Sequence, residues 1–203
     1  APDTYMDKIA VGPGYADGMI DLDADPGDNI NAVAKAKGVK PDHVTALVMD
    51  RPRHEKLIAR IRKAGAKVKL ITDGDVAGVI ETTDPSTGVD IYMGQGGAPE
   101  GVLAAAALRC VGGQMQGRLV FRNEDEKARA AKWGIKDLNR KYALRELVAG
   151  DVVFSATGVT DGAMLRGVHR VGEFITTESV VMRSATGTVR WIRARHRIAK
   201  TGG

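Results

Sequence analysis

Between residues 18 and 111 the sequence keeps switching its apolar period, and that alternation restricts the folds open to it. Val44-Thr45-Ala46-Leu47-Val48-Met49 is an almost unbroken apolar run of strand length, the pattern of a strand buried on both faces. Residues 54–63 then set Leu57, Ile58 and Ile61 on one side and Arg60, Arg62 and Lys63 on the other, a helix that Gly65 closes. The same reading gives strands over 18–23, 68–71, 89–93 and 114–121. Helices fall over 28–37, with Asp28-Asn29 as cap and Gly38 as stop, over 76–81, and over the alanine-rich 99–111. Strands separated by helices of this length predict βαβ units and an α/β fold with a mainly parallel sheet flanked by helices.

After Gly112-Gly113 the pattern changes. A charged, exposed helix is expected over 123–139, a short one over 143–148 and an apolar strand over 151–156. The segments 173–183 and 188–198, joined by Ser184-Ala185-Thr186-Gly187, predict an antiparallel C-terminal hairpin at one edge. The whole chain, 1–203, is expected to form a single α/β domain, since this length suits one core.

Composition narrows the function. No apolar run approaches the roughly 18 residues of a membrane span, and the N-terminus lacks the basic flank and apolar stretch of a signal peptide. The single Cys110 leaves no intramolecular disulfide and no multi-cysteine metal site. Cytoplasmic location is the expectation, with neither membrane nor nucleic acid as partner. Lys and Arg total 30 against 25 Asp and Glu, but aromatics are only 4% and most basic residues sit near acids. The run Arg190, Arg193, Arg195, Arg197, Lys200 reads as a solvated strand face, without the stacking aromatics of a nucleic-acid platform. An anionic small molecule is a better use for the excess charge.

Ligands of open α/β sheets bind beyond the carboxyl ends of the strands, and three polar clusters fall there. Arg51-Pro52-Arg53-His54 follows the strand ending at Met49, Asp73-Gly74-Asp75 the one ending at Ile71, and Gly94-Gln95-Gly96-Gly97-Ala98-Pro99-Glu100 the one ending at Met93. Arg51 and Arg53 at a helix start oppose the helix dipole, which favours an anionic partner over a purely solvated role. Asp73 and Asp75, flanking a glycine, read either as caps of the next helix or as ligand contacts, with one of them expected to cap. The glycines ending at a helix N-terminus leave N–H groups for a phosphate or hydroxyl, and Glu100 is a hard oxygen ligand for a cation. A dinucleotide fingerprint is not completed, because Pro99 stands where its third glycine belongs. The loop from Ser155 to Gly162 reads as packing. His43, His54, His169 and His196 lack zinc spacing, and Cys110, Trp133 and Trp191 are expected to pack in the core.

Six segments in this order resemble the class II fructose-1,6-bisphosphatases of bacteria, within the inositol-monophosphatase-like sugar phosphatases. They are Tyr5-Met6-Asp7-Lys8-Ile9-Ala10-Val11-Gly12-Pro13, Arg51-Pro52-Arg53-His54, Thr72-Asp73-Gly74-Asp75-Val76-Ala77, Gly96-Gly97-Ala98-Pro99-Glu100-Gly101, Phe154-Ser155-Ala156-Thr157-Gly158-Val159-Thr160 and Thr176-Thr177-Glu178. The resemblance implies hydrolysis of the 1-phosphate of fructose 1,6-bisphosphate, with sedoheptulose 1,7-bisphosphate as a second substrate. A non-catalytic sugar-phosphate-binding module is the rival reading. The resemblance places Tyr5, Arg51, Pro52, Arg53, Asp73, Gly74, Asp75 and Gly97 against the sugar bisphosphate, and Glu100 against Mg²⁺ or Mn²⁺, in a homo-oligomer. It also implies an acidic Asp-Pro-x-Asp/Glu-Gly-Thr segment ahead of Tyr5. This chain lacks that segment, so it is expected to correspond to the family's C-terminal portion, without catalytic residues of its own.

Overall fold

The computed structural model describes residues 4–198. Among them the first sheet has six strands. These are β1 (Tyr5–Val11), β2 (Thr45–Met49), β3 (Lys67–Ile71), β4 (Ile91–Gly97), β5 (Gln114–Val120) and β6 (Lys141–Ala143), in the order β3-β2-β4-β1-β5-β6. The sheet is mixed: β2 pairs in parallel with β3 and β4, while β1 runs antiparallel between β4 and β5, and β6 antiparallel to β5. Four of its six strands, β2 to β5, therefore point the same way. Its helices are α1 (Pro26–Lys37), α2 (Glu55–Lys63), α3 (Asp75–Glu81) and α4 (Ala98–Val111), so the α/β class holds.

The strand alternation of β1 shows how the layers form. Ile9 and Val11 face a core built with Ile30 and Val33 of α1 and Ile58 and Ile61 of α2. Met6 and Ala10 face the other way, onto Val79 of α3 and Ala104, Ala105 and Leu108 of α4. Thus α2, which follows β2, covers one face, whereas α3 and α4, which follow β3 and β4, cover the opposite one.

Several local expectations change. Residues 18–23 form turns rather than a strand, and the central strand is β1, which lies outside the alternating stretch. The first helix starts earlier, where the Asp25 side chain accepts from the Gly27 N–H at 2.7 Å, with Pro26 at the first helical position. The glycine loop is not a loop: Gly94 to Gly97 extend β4, held by the ladder to Tyr5, Met6, Asp7 and Lys8.

A second, antiparallel sheet contains β7 (Val153–Thr157), β8 (His169–Val171), β9 (Phe174–Arg183) and β10 (Thr188–Arg197). The expected hairpin is β9–β10, but it belongs to this separate sheet rather than to an edge of the first. Phe154, Val180 and Met182 pack onto Ile80, Ala107 and Cys110, so α4 serves both sheets. Two further helices, α5 (Glu124–Lys132) and α6 (Leu144–Leu147), lie between β5 and β7. Cys110 is buried as expected, whereas Trp133 and Trp191 are 67% and 59% exposed. Trp133 ends the outward-facing α5, and Trp191 lies on the edge strand β10. Lys200 of the basic run lies outside the described residues.

Candidate functional site

The carboxyl ends of β3, β2 and β4 adjoin in the sheet, so the three polar clusters reach one rim. Because the chain leaves β2 toward one face and β4 toward the other, these two strands open a switch-point crevice. β1 enters the same rim from the other direction, bringing Tyr5 opposite Gly97.

On the α2 face, the Arg53 guanidinium donates to the Gln95 carbonyl through Nε at 3.3 Å and Nη2 at 2.9 Å. It also lies 5.1 Å from the centroid of the Tyr5 ring, which Arg122 approaches to 4.6 Å. Tyr5 is therefore stacked among cations, an arrangement that favours its negative ring face. His54, only 3% exposed, joins the ends of two strands. Its Nδ1 lies 2.7 Å from the Met49 carbonyl, and its Nε2 accepts from the Gln95 N–H at 2.9 Å. That network requires the neutral Nδ1–H tautomer, and burial pulls the imidazole pKa below its ordinary value. Gln95 in turn donates through Nε2 to Asp7 at 3.0 Å.

On the α3–α4 face, Asp75 is 5% exposed and its Oδ2 is ion-paired with Lys8, itself 2% exposed. Lys8 Nζ also lies 3.3 Å from the Gly97 carbonyl. Gly96 permits this approach, because a Cβ there would fall inside the van der Waals radius of Asp75 Oδ2. Neither Asp73 nor Asp75 caps α3 with its side chain; the N-cap is Gly74, at φ 84°, a left-handed conformation that suits glycine. The exposed Asp73 instead accepts from the Gly74 N–H at 2.8 Å.

Glu100 is exposed and its Oε2 accepts from the Gly97 N–H at 3.1 Å, a helix-capping bond. Among the described residues no three His, Cys, Asp or Glu side chains converge as a metal site requires. Glu100 alone does not fit the six oxygens that Mg²⁺ takes.

The rim thus brings Tyr5 to Arg53 and Gly97, and Gly97 to Glu100. Arg51 and Asp73 stand at the same rim apart from them; among the described residues the Arg51 Nη1 donates only to the neighbouring Asp50 carbonyl, at 3.0 Å. Pro52 is exposed in a short 3₁₀ turn leading into α2. Sequence reasoning set His54 and Gln95 within the rim clusters without giving either a role, and missed Lys8 as a member. The available signal was Lys8 itself, a charge at an inward position of Met6-Asp7-Lys8-Ile9-Ala10-Val11, legible once that segment is read as a strand.

A family model described as bacterial fructose-1,6-bisphosphatase, glpX-encoded, matches residues 1–196. A D-fructose 1,6-bisphosphatase class 2/sedoheptulose 1,7-bisphosphatase of Synechococcus sp. (strain JA-3-3Ab) is 42% identical over 209 residues, covering 97% of this chain and 60% of that protein. The fructose-1,6-bisphosphatase class 2 of Haemophilus influenzae is 41% identical over 210 residues, covering 97% and 62%. The chain therefore spans about 60% of the length of these relatives.

Proposed function

This chain belongs to the bacterial fructose-1,6-bisphosphatase family, and from that premise we propose that its rim is the sugar-bisphosphate-binding part of a phosphoric monoester hydrolase. The reaction is removal of the 1-phosphate of fructose 1,6-bisphosphate, leaving fructose 6-phosphate for gluconeogenesis. In this reading Arg51 and Arg53 meet a phosphate, Asp73 and Asp75 accept from sugar hydroxyls, and Tyr5, Pro52, Gly74 and Gly97 shape the crevice. The observation that carries it is the meeting of Tyr5, the exposed Arg53 and Gly97, three segments far apart in sequence, at the switch point. Guanidinium groups suit phosphate because their paired N–H groups match its oxygens.

These residues bind and orient. The family resemblance implies a divalent metal, Mg²⁺ or Mn²⁺, toward which Glu100 would be one ligand, and the described residues do not complete its coordination. The isolated carboxylate supports the narrower alternative that residues 4–198 supply sugar-phosphate binding without hydrolysis. Sedoheptulose 1,7-bisphosphate is a second candidate substrate, since the Synechococcus relative carries both names. A cytoplasmic place and a homo-oligomeric state complete the proposal.

Calorimetric titration of the chain with fructose 1,6-bisphosphate, alongside a phosphate-release assay with Mn²⁺, tests it. Saturable binding with phosphate release supports the hydrolase, and binding without release supports the narrower alternative. Absence of binding refutes both.

A further inference from the structure

A lysine beneath a candidate sugar site needs a reason to be there. Burying an ammonium group is costly unless it is paired and hydrogen-bonded. Lys8 is sealed inside the first sheet, where it meets Asp75 Oδ2 and the Gly97 carbonyl. Both belong to residues assigned above to the sugar, one after β3 and the other at the end of β4.

The two oxygens of Asp75 are not equivalent. Oδ2 is taken by Lys8, whereas Oδ1 accepts no hydrogen bond among the described residues. The Asp75 side chain keeps a small exposure of 6%, against 1% for Lys8. Asp75 is thus a carboxylate anchored at one oxygen and unpaired at the other among the described residues. We propose that Lys8 is a positioning residue of the sugar site. It fixes Asp75 so that its free oxygen is presented to a sugar hydroxyl, and it ties that carboxylate to the end of β4 through Gly97. The surroundings allow little alternative: Gly96 leaves room for Asp75 only because it has no side chain, and Met6 and Ala10 on the same strand face are fully packed.

The inference rests on the sugar-binding reading above, and the experiment separates the two. Wild type, Lys8→Met, Asp75→Asn and the double variant are titrated with fructose 6-phosphate by calorimetry, each well below its own melting temperature. Glu81→Gln serves as a control for destabilisation alone, because it breaks the buried end of the Lys69–Glu81 pair in α3 (2.7 Å) away from the rim. Lys8→Met is expected to weaken binding at least tenfold, and Glu81→Gln less than twofold. The double variant is expected to bind no more weakly than the weaker single variant, because both changes remove one device. Lys8→Met within twofold of wild type, or losses that multiply in the double variant, overturns the inference while leaving the site intact. If Lys8→Met does not fold, the double variant, which leaves no unpaired buried charge, decides: affinity equal to Asp75→Asn supports the inference, and a further tenfold loss overturns it. A wild type that does not bind overturns the sugar-binding reading and this inference with it.

Discussion

Replacing His54 by Leu removes a side chain that holds two strands together without touching the proposed ligand. The imidazole serves the Met49 carbonyl and the Gln95 N–H at 2.7 and 2.9 Å from a nearly sealed position. Leu retains the bulk but leaves one acceptor and one donor without partners, at about 1–3 kcal/mol each, so a total loss of about 2–6 kcal/mol is expected. Urea unfolding followed by circular dichroism measures it as a lower midpoint at unchanged slope. The wild type carries a second signature. Burial holds the imidazole below its ordinary pKa, so the unfolded chain takes up the proton first as pH falls. The stability attached to neutral His54 is complete above the unfolded pKa of about 6.5, and is lost as pH drops toward the folded value, at up to about 1.4 kcal/mol per pH unit. His54→Leu should lose that component of the pH slope along with the stability. A variant that unfolds within about 1 kcal/mol of wild type, or keeps the full slope below a pH of about 6.5, refutes the role given to this residue.

Three further outcomes follow from the rim. Arg53→Ala should weaken fructose 6-phosphate binding by about 1.5–3 kcal/mol for each charge-assisted hydrogen bond to the phosphate that it removes, read by calorimetry; unchanged affinity makes Arg53 a support for Tyr5 and Gln95 alone. Asp73→Asn should lower sugar affinity with little change in melting temperature, because Asp73 is exposed and, among the described residues, its side chain accepts only from the neighbouring Gly74 N–H; a lower melting temperature with full affinity reverses the assignment. Titration of the chain with Mn²⁺ should give no tight stoichiometric binding, since Glu100 stands without two further carboxylate or imidazole partners among the described residues; a clear one-to-one isotherm refutes that view of the site.

The rim was legible wherever chemistry and local pattern coincide. Arg51 and Asp73 come within two residues of apolar runs, which place them at strand ends without tertiary information. What escaped notice depends on partners far away in sequence. β1 alternates its two faces under different cores, so Tyr5–Val11 carries neither a long apolar run nor an amphipathic helix period. Gly94–Gly97 resembles a loop because glycine disfavours strands. The ladder to β1 and the close approach of Asp75 at Gly96 override that preference. The capping assigned to Asp73 or Asp75 failed for a related reason: Lys8, 67 positions before Asp75, claims the carboxylate that local reasoning gives to the helix.

The central place of β1 also sets a timetable for the molecule. The Thr4 hydroxyl donates to the Val120 carbonyl, 116 positions later, at 2.5 Å, beside the ladder that joins β1 to β5. A ribosome adding about 5–20 residues per second needs on the order of ten seconds to supply that partner. For most of that interval β1 has neither neighbour, since β4 begins only at Ile91 and β5 at Gln114, and the loop it must close is long. Tyr5 and Lys8 reach Arg53, Asp75 and Gly97 only when this closure occurs. The sugar-phosphate binding proposed for the rim therefore requires residues through Gly97, and a nascent chain stalled before residue 90 should show none of it.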